Sequence, residues 1–147
     1  MKKINFTIDI AAPRQTVYDL LTAPDTYKEW VHVAWPNSYY DGKWEQGELL
    51  RFISPGNGGT AALVKELEKA TYILLEHTAV LQPDLTPDVT SEEAKGWIGS
   101  TEGYRFTESG GITRLLVELE TTPEWIAMFE EGYPAALKKL KEICERA

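Results

Sequence analysis

Side chains that form disulfides and most metal sites are scarce in this chain of 147 residues. It contains a single cysteine, Cys144, and two histidines, His32 and His77, which lie far apart in the sequence. One cysteine cannot form an internal disulfide, and two distant histidines match no pattern of metal ligands. We therefore expect no metal or other cofactor, and we predict that Cys144 is a small core residue of the last helix.

Long apolar runs and clusters of basic residues are also missing. No stretch approaches the roughly 18 apolar residues of a membrane span, and the pair Lys2-Lys3 precedes an alternating segment, not the apolar core of a signal peptide. Lys and Arg number 15 against 23 Asp and Glu, which gives a net charge of -8. Binding to a phosphate backbone requires clustered cations. We expect a cytoplasmic protein with no membrane span and no nucleic-acid partner.

Sequence signatures of common enzymes are absent as well. The chain has no Gly-x-Ser-x-Gly elbow, no phosphate loop and no dinucleotide fingerprint, so no catalytic residue is assigned. Glu118 and Glu120 lie two apart on a predicted strand and therefore share one face, which we interpret as the solvated outer face. Glu66 and Glu76 lie on strands of mixed pattern and are candidates for polar positions on an inner wall.

The residues that are present predict a strand, short helices, several strands and a long final helix. Alternation of apolar and polar side chains over residues 4–10 predicts the first strand. Pro13 is placed as the first residue of a short helix, and Asp25 is a plausible cap for a second helix that ends near Trp30.

The middle of the chain predicts an antiparallel sheet. Strands are expected at 39–53, where turns separate two short strands, and at 61–67 and 72–80, with a hairpin over 104–119. The insertion from residue 82 to 95 contains two prolines and interrupts the sheet. Within it, Thr90 and Glu93 have the spacing of a capping box and predict one helical turn.

The final helix is predicted to begin at Pro123 and to carry one strongly apolar face. Pro134 lies inside it and removes one backbone hydrogen bond, so we expect a kink there, which Gly132 just upstream would ease. A sheet that precedes such a helix wraps around it. The arrangement predicts a cavity between the sheet and the helix.

Three segments of this pattern are informative together: residues 131–140 in the last helix, residues 8–22 followed by Trp30, and the hairpin residues 110–115. They resemble bacterial proteins homologous to the activator of heat-shock protein 90 ATPase, members of the START-like, or SRPBCC, superfamily. The resemblance covers nearly the whole chain.

The resemblance implies an α+β helix-grip fold in one START-like domain over residues 1–147. In this fold, a curved antiparallel sheet of six to seven strands wraps around a long C-terminal helix, with two short helices near the N-terminus. The superfamily includes lipid and hormone carriers, polyketide cyclases and co-chaperone domains. The fold alone therefore does not select a function.

Aromatic side chains are numerous, with five tryptophans and seven tyrosines. Each one taken singly is compatible with ordinary core packing, but as a set they favour a small apolar ligand, aromatic or lipid-like, in the cavity. The predicted ligand-binding wall consists of Trp30, Phe52, His77, Trp97, Tyr104, Phe106, Val117, Trp125, Met128 and Phe129.

His77 has two interpretations. It shares a strand face with Ile73, Leu75 and Ala79, and the resemblance places that face inward. There it could orient a ligand hydroxyl or act as an acid or base near neutral pH, or it could be a hydrogen-bonded core histidine. His32 is expected to be exposed.

Three functions remain open at this stage. The first is non-enzymatic binding of a small apolar molecule in the cavity. The second is an enzyme of the polyketide cyclase or hydrolase type that uses the same cavity, with His77 as its acid or base. The third is a co-chaperone-like interaction module of the stress response, whose partner would be a protein of the chaperone type.

Overall fold

The computed structural model describes residues 1–147, which form eight strands and four helices. The strands are β1 (Lys2–Ile10), β2 (Tyr39–Gly42), β3 (Leu49–Ser54), β4 (Gly58–Glu68), β5 (Tyr72–Leu81), β6 (Pro87–Asp88), β7 (Thr101–Ser109) and β8 (Ile112–Thr121). The helices are α1 (Arg14–Thr22), α2 (Pro24–His32), α3 (Glu92–Trp97) and α4 (Pro123–Arg146).

The strands form one antiparallel sheet in the order β1-β8-β7-β5-β4-β3-β2, and the two-residue β6 pairs with β5 outside this path. The helix α4 packs against β1, α1 and α2. This is the predicted helix-grip fold, with seven strands in the main path and β6 as a short addition. The two short N-terminal helices are also confirmed, but α1 begins one residue after the predicted Pro13, and Asp25 lies in the first turn of α2 instead of capping it.

Alternation of side chains sets which face of the sheet is buried. On the first part of β5 the buried positions are Ile73, Leu75 and His77, while Tyr72, Leu74 and Glu76 are half-buried. A period of two is the geometry of a strand, so one face lies toward α4 and the other toward solvent. The predicted inward orientation of His77 is confirmed.

Two β-bulges bend the sheet where β4 pairs with β5. The pairing of β4 with β5 shifts register between Ala61 and Ala62, and again between Val64 and Glu66. A bulge inserts an extra residue on one strand, which bends that strand and increases its twist. These bulges contribute to the curvature that lets the sheet wrap around the helix.

The hairpin of β7 and β8 closes through two glycines. Gly110 and Gly111 have φ angles of 60° and 80°, and Ser109 pairs directly with Ile112. A two-residue turn with positive φ at both positions matches the twist of the flanking strands, and glycine adopts it at little cost. The hairpin predicted from the sequence is confirmed.

The helix α4 continues without interruption across Pro134, which is exposed. Its C-terminal half supplies much of the core, and Cys144 is buried there as predicted, 2% exposed. Burial raises the pKa of the Cys144 thiol to about 12. The kink at Pro134 stays a prediction. None of the four helices has the length and apolar character needed to cross a membrane.

The insertion between β5 and β7 forms α3, and its cap lies one residue after the predicted one. The side chain of Ser91, not that of Thr90, accepts a hydrogen bond from the backbone N–H of Ala94 at 3.1 Å. Asp88 fixes Ser91 in turn by accepting its hydroxyl proton at 2.6 Å.

The outer face of the sheet carries exposed ion pairs. Glu118 pairs with Arg105 at 2.8 Å, in agreement with its predicted outward position. The suggestion that Glu66 and Glu76 belong to an inner wall is wrong. Glu76 occupies an outward position of the alternation on β5 and pairs with Lys65 at 3.2 Å. Glu66 is exposed because the register shift between Val64 and Glu66 interrupts the alternation on β4.

The core position of Leu140 predicts a large loss on truncation. Leu140 on α4 is 0% exposed, so Leu140→Ala should lower the free energy of unfolding by about 2 to 5 kcal/mol. Lys138→Ala, at an exposed position of the same helix, should change it by less than about 0.5 kcal/mol. Urea denaturation of both variants measures this, and equal effects would contradict the orientation of α4.

Candidate functional site

A cavity of about 470 Å³ lies between the sheet and the N-terminal half of α4. Of the 21 residues that line it, 14 are hydrophobic. The lining residues are Tyr27, Trp30, Val31, Trp35, Ser38, Phe52, Ile53, Ser54, Asn57, Gly59, Thr60, Val80, Leu81, Glu93, Trp97, Glu102, Tyr104, Trp125, Met128, Phe129 and Tyr133.

The wall is assembled from both helices and strands. The helix α2 and the strands β3, β4, β5 and β7 contribute, and α3 brings Trp97 from the insertion. On α4 the lining residues Trp125, Phe129 and Tyr133 are spaced by four, so that they lie on one face of the helix. Their rings form a continuous aromatic surface, with Trp97 and Phe129 at 6.0 Å and Phe129 and Tyr133 at 5.9 Å between ring centroids.

The structure places seven of the ten residues predicted for the ligand-binding wall on this cavity. They are Trp30, Phe52, Trp97, Tyr104, Trp125, Met128 and Phe129. Contact of these residues with a ligand stays a prediction.

The other three predicted residues do not line the cavity. Phe106 packs edge-on against Tyr18 of α1, with 5.9 Å between ring centroids, at a part of the interior that α1 fills. Val117 is 0% exposed and pairs across the sheet with Tyr104 and Phe6. Both are inward residues of the close-packed core, and this corrects their assignment to the wall.

His77 is also behind the wall. It is 1% exposed, and its ring centroid lies 4.5 Å from that of Trp97, which covers it. Both ring nitrogens contact hydrogen-bonding side chains: Nδ1 lies 3.0 Å from Thr60 Oγ1, and Nε2 lies 2.9 Å from Glu102 Oε1. It is a hydrogen-bonded core histidine that does not line the cavity itself but contacts the lining residues Thr60, Trp97 and Glu102.

Glu102 is the ionisable group at the centre of the site. Tyr104 donates to its Oε2 at 2.9 Å and Tyr133 donates to the same oxygen at 3.0 Å. The two phenol oxygens are themselves 3.0 Å apart. The Glu102 side chain is 14% exposed, in a site that is otherwise mostly apolar.

The hydrogen bonds to Glu102 keep its carboxyl ionised. Burial acts to raise the pKa of this group, because a charge is poorly solvated inside a protein. The hydrogen bonds from His77, Tyr104 and Tyr133, together with electrostatic attraction to His77, outweigh burial and hold the pKa of Glu102 below its ordinary value. The same site raises the pKa of both tyrosines well above their ordinary value, mainly by burial and then by the charge of Glu102.

A chain of hydrogen bonds joins this group to the insertion. Trp97 Nε1 donates to Thr60 Oγ1 at 2.7 Å, and Thr60 contacts both His77 and the carbonyl of Ala79 at 3.0 Å. The polar side chains of the site are thus fixed from α3 through β4 and β5 to Glu102 on β7. No three His, Cys, Asp or Glu side chains converge in a way that could hold a metal ion.

The sequence analysis missed Glu102 and Tyr133. Glu102 alternates with Tyr104 and Phe106 on β7, so the period of two could have placed all three on the inward face. Tyr133 follows Phe129 by four positions on α4, so the helical spacing could have placed them together.

A glycine on α4 makes room for one wall of the cavity. A side-chain carbon added at Gly132 would lie 2.8 Å from Cζ2 of Trp35. Trp35 follows α2 and packs edge-on against Tyr133, with 5.3 Å between ring centroids. The absence of a side chain at Gly132 therefore allows Trp35 to reach the helix.

Comparison with known sequences agrees with this architecture. The family described as "Activator of Hsp90 ATPase homolog 1-like protein" matches residues 11–145. The chain belongs to this family. Its membership of the START-like superfamily, which the sequence resemblance indicated, is confirmed. No protein of curated function matches the chain by sequence.

Solved structures share the fold of this activator-like family member. Protein MLL2253 from Mesorhizobium loti has a TM-score of 0.78 at 15% identity, over 99% of this chain and 98% of that one. The Aha1 dimer from Colwellia psychrerythraea has a TM-score of 0.72 at 20% identity, over 99% and 97%. CalU16 from Micromonospora echinospora has a TM-score of 0.66 at 19% identity, over 97% and 75%. At these identities the likeness shows the fold alone.

The lowered pKa of Glu102 predicts how stability depends on pH in this family member. Between the ordinary value of 4.5 and the folded pKa below it, the unfolded chain binds more protons than the folded one. The free energy of unfolding therefore falls as the pH drops through this window. Glu102→Gln removes the titrating group, so its unfolding free energy should fall less steeply below pH 4.5.

Urea denaturation at a series of pH values measures this slope. Glu130→Gln is the matched control, because Glu130 is exposed on α4 and forms no ion pair. It should keep the slope of the wild type. A Glu102→Gln variant with the wild-type slope would show that the ionised carboxylate does not contribute to stability.

Proposed function

We propose that this protein binds a small, largely apolar molecule in the cavity between the sheet and α4, as a cytoplasmic, non-enzymatic binding protein. The observation that carries the proposal is the cavity itself, with its volume of about 470 Å³ and its mainly hydrophobic lining. Small-molecule sites commonly measure about 300 to 1,000 Å³ and combine an apolar wall with a few polar groups that orient the ligand.

The shape of the wall favours a ligand with a flat or ring-shaped body. Trp35, Trp97, Trp125, Phe129 and Tyr133 all line the cavity, and aromatic rings pack well against other rings in offset or edge-on arrangements. The proposed ligand contacts are the seven predicted wall residues that line the cavity. His77, Phe106 and Val117 are not among them, because they lie behind the wall or in the core.

An enzymatic role of the cyclase or hydrolase type has less support. His77, the residue predicted as acid or base, is 1% exposed, and its two ring nitrogens contact Thr60 and Glu102 respectively. A general acid or base must come within hydrogen-bonding reach of the reacting group. His77 therefore supports an orienting role through Glu102 more than direct proton transfer to a ligand.

The co-chaperone function is the second candidate. It is favoured by the family name, which describes activators of Hsp90 ATPase. In that case the partner would be a protein of the chaperone type bound at the surface, and filling the cavity would leave the interaction unchanged.

A pair of identical substitutions tests the binding proposal. Val80 is half-buried and lines the cavity, whereas Val117 is fully buried outside it. Val80→Trp should fill cavity space and lower stability little. Val117→Trp adds the same volume to a close-packed core and should cost about 1 to 3 kcal/mol or more.

The uncharged dye N-phenylnaphthylamine, whose fluorescence rises in apolar surroundings, reports binding to the cavity. Wild-type protein should bind the dye, and Val80→Trp should lose binding while remaining folded. If wild-type protein leaves the dye fluorescence unchanged, the binding proposal is wrong. Stimulation of a chaperone ATPase by wild type and Val80→Trp alike would then favour the co-chaperone function.

A further inference from the structure

The charged residues of the cavity wall are all acidic. Among the 21 lining residues, the only Asp, Glu, Lys, Arg or His side chains are Glu93, which is exposed, and Glu102, which is half-buried. The imidazole of His77 contacts Glu102 on the side away from the cavity and does not line the wall. A bound molecule therefore meets negative charge and no side-chain cation.

The hydrogen-bonded groups around Glu102 have no spare donor, and the other uncharged, non-aromatic polar side chains on the wall are Ser38, Ser54, Asn57 and Thr60. Glu102 Oε2, Tyr104 Oη and Tyr133 Oη form a triangle with sides of 2.9, 3.0 and 3.0 Å. Each phenol carries one proton, and both protons are taken up within this triangle. The proton on His77 Nε2 is directed to Glu102 Oε1. A carboxylate has about four lone-pair sites, and at most three of them accept these protons, so acceptor capacity remains on Glu102 and on the phenol oxygens.

This count does not depend on the protonation state of His77. Thr60 has a single hydroxyl proton, and it contacts His77 Nδ1 and the carbonyl of Ala79, both at 3.0 Å. If the proton goes to His77, the ring is neutral. If it goes to Ala79, Nδ1 itself donates and the ring is an imidazolium. In both arrangements the donors are used inside the network, and the groups around Glu102 present acceptors only.

The carboxylate of Glu102 is already stabilised by His77, Tyr104 and Tyr133, and a further donor on its remaining lone pairs would form a strong charge-assisted hydrogen bond. Here the aromatic rings of Trp97, Trp125 and Phe129 line the same cavity. The faces of aromatic rings attract cations, most strongly where water is excluded. A positively charged donor would therefore satisfy both the free lone pairs at Glu102 and the aromatic surface around them.

We propose that the ligand of this cavity is a protonated organic amine with an apolar body, whose N–H groups donate to Glu102 and to the phenol oxygens of Tyr104 and Tyr133. This inference rests on the proposed binding function and narrows its ligand class. A fatty acid or another carboxylate would place its charge beside Glu102 without a cation between them. A neutral hydrocarbon would leave the lone pairs at this end unbonded.

Three probes that share a naphthalene body and differ in one head group test the inference. They are naphthylethylamine, which is cationic at neutral pH, ethylnaphthalene, which is neutral, and naphthylacetate, which is anionic. Displacement of N-phenylnaphthylamine from the cavity measures their affinities. Wild-type protein should bind the amine about 10-fold or more tightly than ethylnaphthalene, as expected for hydrogen bonds to a charged group, and should bind naphthylacetate most weakly.

Substitutions assign the preference to Glu102. Glu102→Gln keeps the shape of the side chain and removes its charge, so it should weaken amine binding by about 10-fold while ethylnaphthalene binds as before. Glu130→Gln removes one charge at an exposed position of α4 away from the cavity and should retain the amine preference. If Glu102→Gln does not fold, Tyr133→Phe takes its place, because it deletes one of the phenol oxygens and should reduce the preference for the amine over ethylnaphthalene.

The outcomes separate the two proposals. If the dye and ethylnaphthalene bind while the amine binds no better, or if Glu102→Gln leaves the amine preference intact, the inference is overturned and the binding function stands. Tightest binding of naphthylacetate would overturn it in favour of an anionic ligand. If neither the dye nor any of the probes binds, the proposed function fails and the inference fails with it.

Discussion

The packing of α4 across the sheet is the constraint on which the rest of the structure depends. Its C-terminal half buries Leu137, Leu140 and Ile143 in the core, while its N-terminal half presents Phe129 and Tyr133 to the cavity. One helix must therefore close the interior at one end and leave space at the other. The short helices complete this division, because α1 packs against the closed end and α2 lines the open end.

The ionised Glu102 gives the cavity a polarity that its aromatic wall alone would not have. Burial opposes the charge, and hydrogen bonds from three side chains on β5, β7 and α4 preserve it. Such an arrangement fixes the positions of Tyr104 and Tyr133 relative to each other across the sheet and the helix. Orientation of a ligand and cohesion of the interior thus involve the same atoms.

Most of the fold could be predicted from the sequence, and only part of the site. Alternation on β5 and the Gly110-Gly111 turn report local backbone geometry, so the strands and the hairpin were recoverable. An inward apolar residue looks the same whether it faces a cavity or a solid core, which is why Val117 was placed on the wall. Glu102 was missed because a charged side chain on a strand usually marks the outer face, and its partner Tyr133 comes close only through the tertiary packing of α4.

The contact between Gly132 and Trp35 fixes the rotation of α4 about its own axis. At Gly132 the helix backbone comes close to the indole ring, since even one added carbon there would lie 2.8 Å from Cζ2. A turn of the helix by one residue would put a side chain at the position that Gly132 leaves open for the indole ring. The missing side chain at Gly132 therefore favours the rotation of α4 in which the phenol of Tyr133 donates a hydrogen bond to Glu102.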